Sequence, residues 1–330
     1  MLSMNKKAKR FLIGGGGAAA VLAAGSILSA AMTKNLVDAA MDRDCPSSLG
    51  HDRSRLSGSS VQATSLEQAT LAADALEHSE TETVEIISHD GEHLVGHWYP
   101  CENPGRVILA MHGWRSSWAK DFGVIAPFWH NNGCAVLFAE QRGQCASGGE
   151  HMGFGLIERH DCLDWLNWIN HRTGRALPVY LAGVSMGATT VLMASGLELP
   201  ENVVGIMADC GYTSVHEIWK HVLEQNLHLS YRMHGPMADR MCKRKIQMGT
   251  KDYSTTEALE GNKVPVLFAH GTDDHFVPVE MTYENYKACR APKRLFIVPG
   301  AGHGMSYFVD RTGYERETLA FWADCEKQKS

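Results

Sequence analysis

The chain has 330 residues, 44% hydrophobic and 21% charged, which is enough for one large or two small globular domains with an ample core. The formal net charge is −6, but the first 40 residues carry +4, so the remaining 290 carry −10. An acidic body argues against partners that need a basic face, such as nucleic acid or anionic lipid. Nine cysteines without a C-x-x-C pair argue against zinc-ribbon or thioredoxin-like chemistry.

In chain order, Lys6, Lys7, Lys9 and Arg10 precede an uncharged run, Phe11 to Thr33, rich in Gly, Ala, Leu and Ile. At 23 residues the run can span a bilayer, and the basic cluster before it belongs on the cytoplasmic side. Two readings of residues 1–33 compete. One is an uncleaved single-pass anchor holding the rest of the chain outside the cytoplasm; the other is a signal peptide cut near Ser29-Ala30-Ala31, giving a secreted protein. The run is longer than the usual apolar core of a signal peptide, which favours the anchor, and membrane contact is expected through this segment. Residues 34–82 read as a polar spacer, except that Leu66, Ala69, Leu71, Ala73 and Leu76 predict a short helix between Ser65 and His78. The odd cysteine count leaves at least one free thiol in an exported protein, and Cys134 and Cys210, bordering apolar runs, read as buried thiols.

From Thr83 the pattern becomes regular. Val84 to Ile87 and Leu94 to Tyr99 read as strands across a turn at His89-Asp90-Gly91. Val107 to Met111 is a continuous apolar strand of the kind covered on both faces. A helix from Trp118 to Asn131, the strand Ala135 to Ala139, a helix Ile157 to Arg172 and the strand Val179 to Ala182 follow. After a helix Ala188 to Gly196 come strands at Val203 to Ala208, Val266 to Ala269 and Leu295 to Val298, and a closing helix from Tyr314 to Cys325. Strands alternating with helices predict an α/β fold with a doubly wound, mostly parallel sheet over 83–330. Between Cys210 and Lys263 no strand is expected. Helical runs holding Trp219, Tyr231, Met233, Met237 and Met241 predict a cap over about 211–262, above the crevice at the C-terminal edge of the sheet.

The organising motif is Gly183-Val184-Ser185-Met186-Gly187, placed between a strand and a helix as a nucleophile elbow requires. Small residues two positions either side of Ser185 let the chain close tightly enough to project the hydroxyl above the sheet. A serine hydroxyl needs an imidazole to take its proton and an acid to orient that imidazole. Among 17 histidines, His303 stands out in the loop Pro299-Gly300-Ala301-Gly302-His303-Gly304, just past the last strand and within reach of the edge where Ser185 sits. Asp273 and Asp274 follow the strand ending at Ala269, and the order Ser, Asp, His is the one this architecture imposes. Two preorganised N–H groups should meet the oxyanion of a tetrahedral intermediate. One is the backbone N–H of Met186; the other should come from His112-Gly113-Trp114, where His112 is expected to brace the loop. His216 and His221 are five apart rather than four and would not share a helix face, so a zinc hydrolase is rejected, and no metal or other cofactor is expected.

From about residue 83 onward the sequence resembles the α/β-hydrolase superfamily. Within it, the chain is similar to membrane-anchored bacterial hydrolases of the Bem46-related and serine aminopeptidase-like groups. The matching pieces are His112-Gly113-Trp114, Gln141-Arg142-Gly143, the elbow, His270-Gly271-x-x-Asp274-x-x-Val277-Pro278 and Gly302-His303. The resemblance implies that Asp274, fifth in its motif, is the acid, and that the Trp114 N–H is the second oxyanion donor. The chain departs from the family pattern at Glu140, where Asp is frequent, and at Gln144-Cys145, where His-Gly is frequent. The expected function is a serine hydrolase using Ser185, Asp274 and His303 on a small-molecule carboxylic ester, with thioester or peptide amide chemistry open to the same acyl-enzyme. Acyl transfer to another alcohol and a non-catalytic binding protein on a retained fold are the alternatives.

Overall fold

A strand that is apolar at every position must be covered on both faces. In the computed structural model, which describes residues 28–44 and 63–327, Arg106–Met111 (β3) lies in the middle of the sheet with Val107 to Met111 fully buried. Eight strands form one sheet in the order β1-β2-β4-β3-β5-β6-β7-β8. Glu82–Ile87 (β1) and His93–Tyr99 (β2) form an antiparallel pair, and β2 also runs antiparallel to Cys134–Ala139 (β4). All other neighbours are parallel: β4 with β3, β3 with Val179–Val184 (β5), then Val203–Asp209 (β6), Val266–Gly271 (β7) and Lys293–Val298 (β8). The parallel strands therefore end together at one edge, where the loops after β3, β5, β6, β7 and β8 gather. This is an α/β-hydrolase fold, as the resemblance implies, with the mostly parallel sheet that the sequence pattern predicts.

Two apolar clusters hold helices on the two faces. One face packs Trp165, Leu166 and Ile169 of the helix Glu158–Thr173 together with Val191 and Leu192 of the elbow helix Met186–Ala194. The other packs Phe122, Trp129, Phe321 and Trp322. The expected helix Trp118 to Asn131 is two helices, Trp118–Phe122 and Ala126–Asn131. The break falls at Gly123, where a Cβ would sit 2.7 Å from the Ala72 backbone, because the helix Ala63–Glu77 crosses there.

Between β6 and β7 the chain forms the helices Val215–His221, Tyr231–Ile246 and Thr255–Gly261, with a π turn at Val222–Asn226 and no strand. Their inner side chains, among them Trp219, Tyr231 and Cys242, join a third buried cluster with Met186, Phe154 and Tyr212.

The polar spacer expected over residues 34–82 is corrected in its first part. Residues 28–41 form a helix, and Val37 and Met41, one turn apart on one face, are buried in that third cluster. The expected membrane span lies mostly in 1–27, outside the described residues. Among the described residues no helix is long and apolar enough to cross a membrane.

Candidate active site

The chain turns from β5 into the elbow helix at Ser185, whose φ of 56° and ψ of −117° lie in a region that a non-glycine residue occupies only when its surroundings hold it. The closeness of the turn explains both flanking glycines. A Cβ on Gly183 would lie 2.3 Å from the Gly187 backbone, and one on Gly187 would lie 1.8 Å from the Met111 carbonyl oxygen. The Ser185 N–H donates to the Asp209 carbonyl at 2.9 Å, which ties the elbow to the end of β6.

The loop after β8 brings His303 over the serine. Its Nε2 lies 2.8 Å from Ser185 Oγ and its Nδ1 lies 2.7 Å from Asp274 Oδ2. Asp274, buried after β7, is held from both oxygens. Oδ1 accepts the N–H groups of Phe276 and Val277, and Oδ2 accepts from His303 and, at 3.1 Å, from Nε2 of the buried His270. His270 Nδ1 faces Thr282 Oγ1 at 2.6 Å, so the hydroxyl can donate to it and leave Nε2 as the protonated nitrogen.

These contacts decide the protonation states. Burial opposes ionisation of Asp274, but the His303 and His270 imidazoles outweigh it and hold the carboxyl well below the usual range. Burial likewise opposes protonation of His303, while the Cys210 sulfur and the Asp274 carboxylate raise its pKa well above that of an ordinary histidine. Burial pushes the Cys210 thiol up to about 11, so Asp274 is the charge acting on His303 at neutral pH.

The loop after β3 runs past the nucleophile: a Cβ on Gly113 would be 3.4 Å from Ser185 Cβ. His112 is buried, with Nδ1 2.8 Å from the Gly113 carbonyl and Nε2 accepting the Gln141 N–H at 3.1 Å. These two bonds brace the loop. Asp121 accepts the Gly113 N–H at 2.6 Å and the Ser116 hydroxyl at 2.5 Å. Among the described residues, the backbone N–H groups of Trp114 and Met186 are bonded to no other protein group.

Thus Ser185, His303 and Asp274 form one hydrogen-bonded chain, with the Met186 N–H at the start of the elbow helix and the Gly113-Trp114 loop alongside. Asp273 lies outside it: its side chain is exposed and accepts from Thr272 Oγ1. His216 and His221 point to separate partners, the Tyr231 hydroxyl and the His275 carbonyl.

Sequence reasoning missed three groups. Cys210 reads as an ordinary buried thiol, yet its sulfur lies within 4.8 Å of ligand atoms of Asp274 and His303. Its position directly after β6, at the functional edge, was the available signal. Asp209 is buried, and its carboxyl, whose pKa burial raises, accepts from Ser306 Oγ at 2.9 Å beneath the His303 loop. His270 was visible only as part of a motif. A 790 Å³ cleft bordered by Ala72, Tyr99, Phe128 and Tyr307 contains none of these residues, whereas a 470 Å³ cleft reaches Asp274 beside His221 and Pro278. The eight described cysteines are unpaired thiols, and Cys45 lies outside the described residues.

Sheet order, elbow and edge loops define the class as an α/β hydrolase. The sequence model of the prolyl oligopeptidase family matches residues 120–329, more than half of the chain, and the chain belongs to that family of serine hydrolases. The uncharacterized protein YqkD of Bacillus subtilis is 27% identical over 253 residues, covering 75% of this chain and 81% of its own. Among solved structures, an esterase of Pyrococcus furiosus superposes with a TM-score of 0.60 at 19% identity, over 74% of this chain and 91% of that one. The acylaminoacyl peptidase of Pyrococcus horikoshii superposes with a TM-score of 0.55 at 14% identity, over 75% of this chain and 41% of that one. At such identities these two structures speak for the fold alone.

Proposed function

We propose that the protein hydrolyses carboxylic esters, with thioesters or peptide amides as further acyl donors, through an acyl-enzyme on Ser185. The observation that carries this reading is the unbroken chain from Ser185 Oγ through His303 to Asp274, at 2.8 and 2.7 Å. In the proposed cycle His303 takes the serine proton as Oγ attacks the acyl carbon, and Asp274 stabilises the imidazolium that results. The oxyanion is met by the N–H groups of Met186 and Trp114, the first at a helix N-terminus where partial positive charge is concentrated. His303 then protonates the leaving group, and water repeats the sequence in reverse to release the acid. The same intermediate would serve acyl transfer to an alcohol other than water.

A fluorophosphonate probe tests the nucleophile. The wild type should label and Ser185→Ala should not, with kcat falling by about three or more orders of magnitude and the fold intact. Turnover near wild type in that variant would remove the assignment. A series of p-nitrophenyl esters of rising chain length, with a peptide amide beside them, ranks the acyl donors.

The grouping with Bem46-related and serine aminopeptidase-like hydrolases, the cap role of 211–262 and the outward-facing anchor at 1–33 belong to the same proposal. Protease treatment of intact cells should remove the hydrolase domain if the anchor reading holds. A mature N-terminus near Met32 would show a cleaved signal instead.

A further inference from the structure

Residues 33–43 contact three separate parts of the hydrolase that do not otherwise follow one another in sequence. On the cap side, Thr33 Oγ1 lies 2.7 Å from His234 Nδ1, and Lys245 Nζ lies 3.0 Å from Asp38 and 2.5 Å from Asp42. On the loop after β4, the Met41 carbonyl accepts the Met152 N–H at 2.7 Å, the Arg43 N–H donates to the Glu150 carbonyl, and the Arg43 guanidinium donates to the carbonyls of Cys145 and Ser147 at 2.6 and 2.5 Å. The third part is the loop of the oxyanion donor. Trp114 Nε1 donates to the Ala40 carbonyl at 2.8 Å, and the Arg115 guanidinium donates to the carbonyls of Ala39, Asp42 and Arg43 at 2.5 to 3.2 Å. Those carbonyls lie at the C-terminal end of the helix, where orphan acceptors and partial negative charge favour a cation.

We infer that residues 33–43 act as a clamp that positions the Trp114 N–H for catalysis, with Arg115 as its principal positioning residue. Arg115 sits at φ 50°, a left-handed conformation that a non-glycine residue keeps only when its surroundings hold it. The side chain is anchored to the clamp, and the backbone N–H is held by Gln144 Oε1. Val37 and Met41 are buried in the cluster that contains Met186, and Trp114 packs against that cluster, so the clamp touches the surroundings of both oxyanion donors. A donor that must lie within hydrogen-bond reach of the oxyanion contributes to rate only while its loop is held still. Among the described residues, the hydrogen bonds of Ser185, His303 and Asp274 run to none of residues 33–43.

The inference rests on the acyl-transfer reading of Ser185, and its test separates the two. In the full chain, Arg115→Ala should lower kcat by about 10- to 100-fold, the range expected for a weakened oxyanion donor, with KM within about threefold. The acid-limb pKa of kcat/KM should stay unchanged, and Arg115→Lys, which keeps one donor group, should recover part of the loss. Trp114→Phe, which keeps the ring packing and the backbone N–H but removes the bond to Ala40, should lose severalfold in kcat and serves if Arg115→Ala does not fold. Wild-type kcat in folded Arg115→Ala, or in Trp114→Phe should the former not fold, overturns the clamp. So does a loss accompanied by a shifted acid-limb pKa, because that places the damage at His303. Activity surviving in Ser185→Ala would instead overturn the reading on which the clamp depends.

Discussion

The elbow that carries Ser185 and the loop that carries Trp114 lie side by side, yet they are held by different means. The elbow is fixed from within: at Gly187 no atom fits between it and the Met111 carbonyl, and Ser185 has no φ to exchange without breaking that contact. The Trp114 loop is held from outside by Asp121, Gln141, Gln144 and the carbonyls of residues 39–43. Three separate stretches of chain, around Asp121, around Gln144 and at residues 39–43, must be in place before that loop is set. A turn built this way is as stable as the sheet, whereas a loop built this way is only as stable as the assembly around it. Substitutions at the elbow should therefore act on the fold or on chemistry all at once, and substitutions around the loop should act on rate by degrees.

The largest effect should come from Asp274→Asn. The amide can turn its NH₂ to His303 Nδ1, which reverses the tautomer and leaves Nε2 unable to accept the serine proton. A loss of about 10⁴ in kcat is expected, the size known for the equivalent change in a serine protease. The pH profile gives the second readout. In the proposed cycle only neutral His303 acts as base, and its pKa is raised, so kcat/KM of the wild type should climb with pH through an apparent pKa above the ordinary histidine value of 6.5. Removing the carboxylate should bring the residual activity's acid limb to lower pH. An unshifted limb would show that Asp274 does not set the charge on His303.

Gly187→Ala sharpens the comparison from the elbow side. A Cβ 1.8 Å from a backbone oxygen cannot be relieved by a side-chain rotation, so β3 and the elbow helix must separate. A destabilisation on the order of 4 kcal/mol is expected, at the severe end for a point change, and is measurable by urea unfolding. A variant with wild-type stability would mean that the elbow has slack and that its rigidity is not internal.

Most of this molecule was legible in its sequence because the elbow half obeys local rules. The apolar runs at Val107–Met111 and Val179–Ala182 fixed the buried strands, and the spacing Gly183-x-Ser185-x-Gly187 named the turn. Chain order narrowed the proposed base and acid to one loop each. The clamp was not legible, for physical reasons. Val37 and Met41 sit where an apolar run gives way to a polar one, so their one-turn spacing is lost against the background. Its bonds run largely to backbone carbonyls, which every residue carries and no motif marks. Cys210 was visible by position, but its nearness to His303 depends on how β6 ends relative to β8, a tertiary fact.

The smallest effect should come from Asp273→Asn, and it bears on whether the acid has been placed in the right register. Asp273 and Asp274 are neighbours in one turn, but their carboxyls have different surroundings. Asp274 is buried and bonded to His303 and His270, while Asp273 is exposed and accepts a single hydroxyl from Thr272. The Asp273 N–H donates to the Ala301 carbonyl at 2.9 Å, a bond that ties the β7 loop to the His303 loop and that the substitution leaves intact. An amide in place of this carboxylate can still accept from Thr272 and removes one solvated charge that makes no bond to His303 or Ser185. Screening by water and salt keeps such a charge worth a few tenths of a kcal/mol, so kcat should stay within about twofold of wild type. Measured on the same ester as Asp274→Asn, a dead Asp273→Asn would show that the acid lies one residue earlier and that the buried carboxyl at Asp274 serves the fold alone.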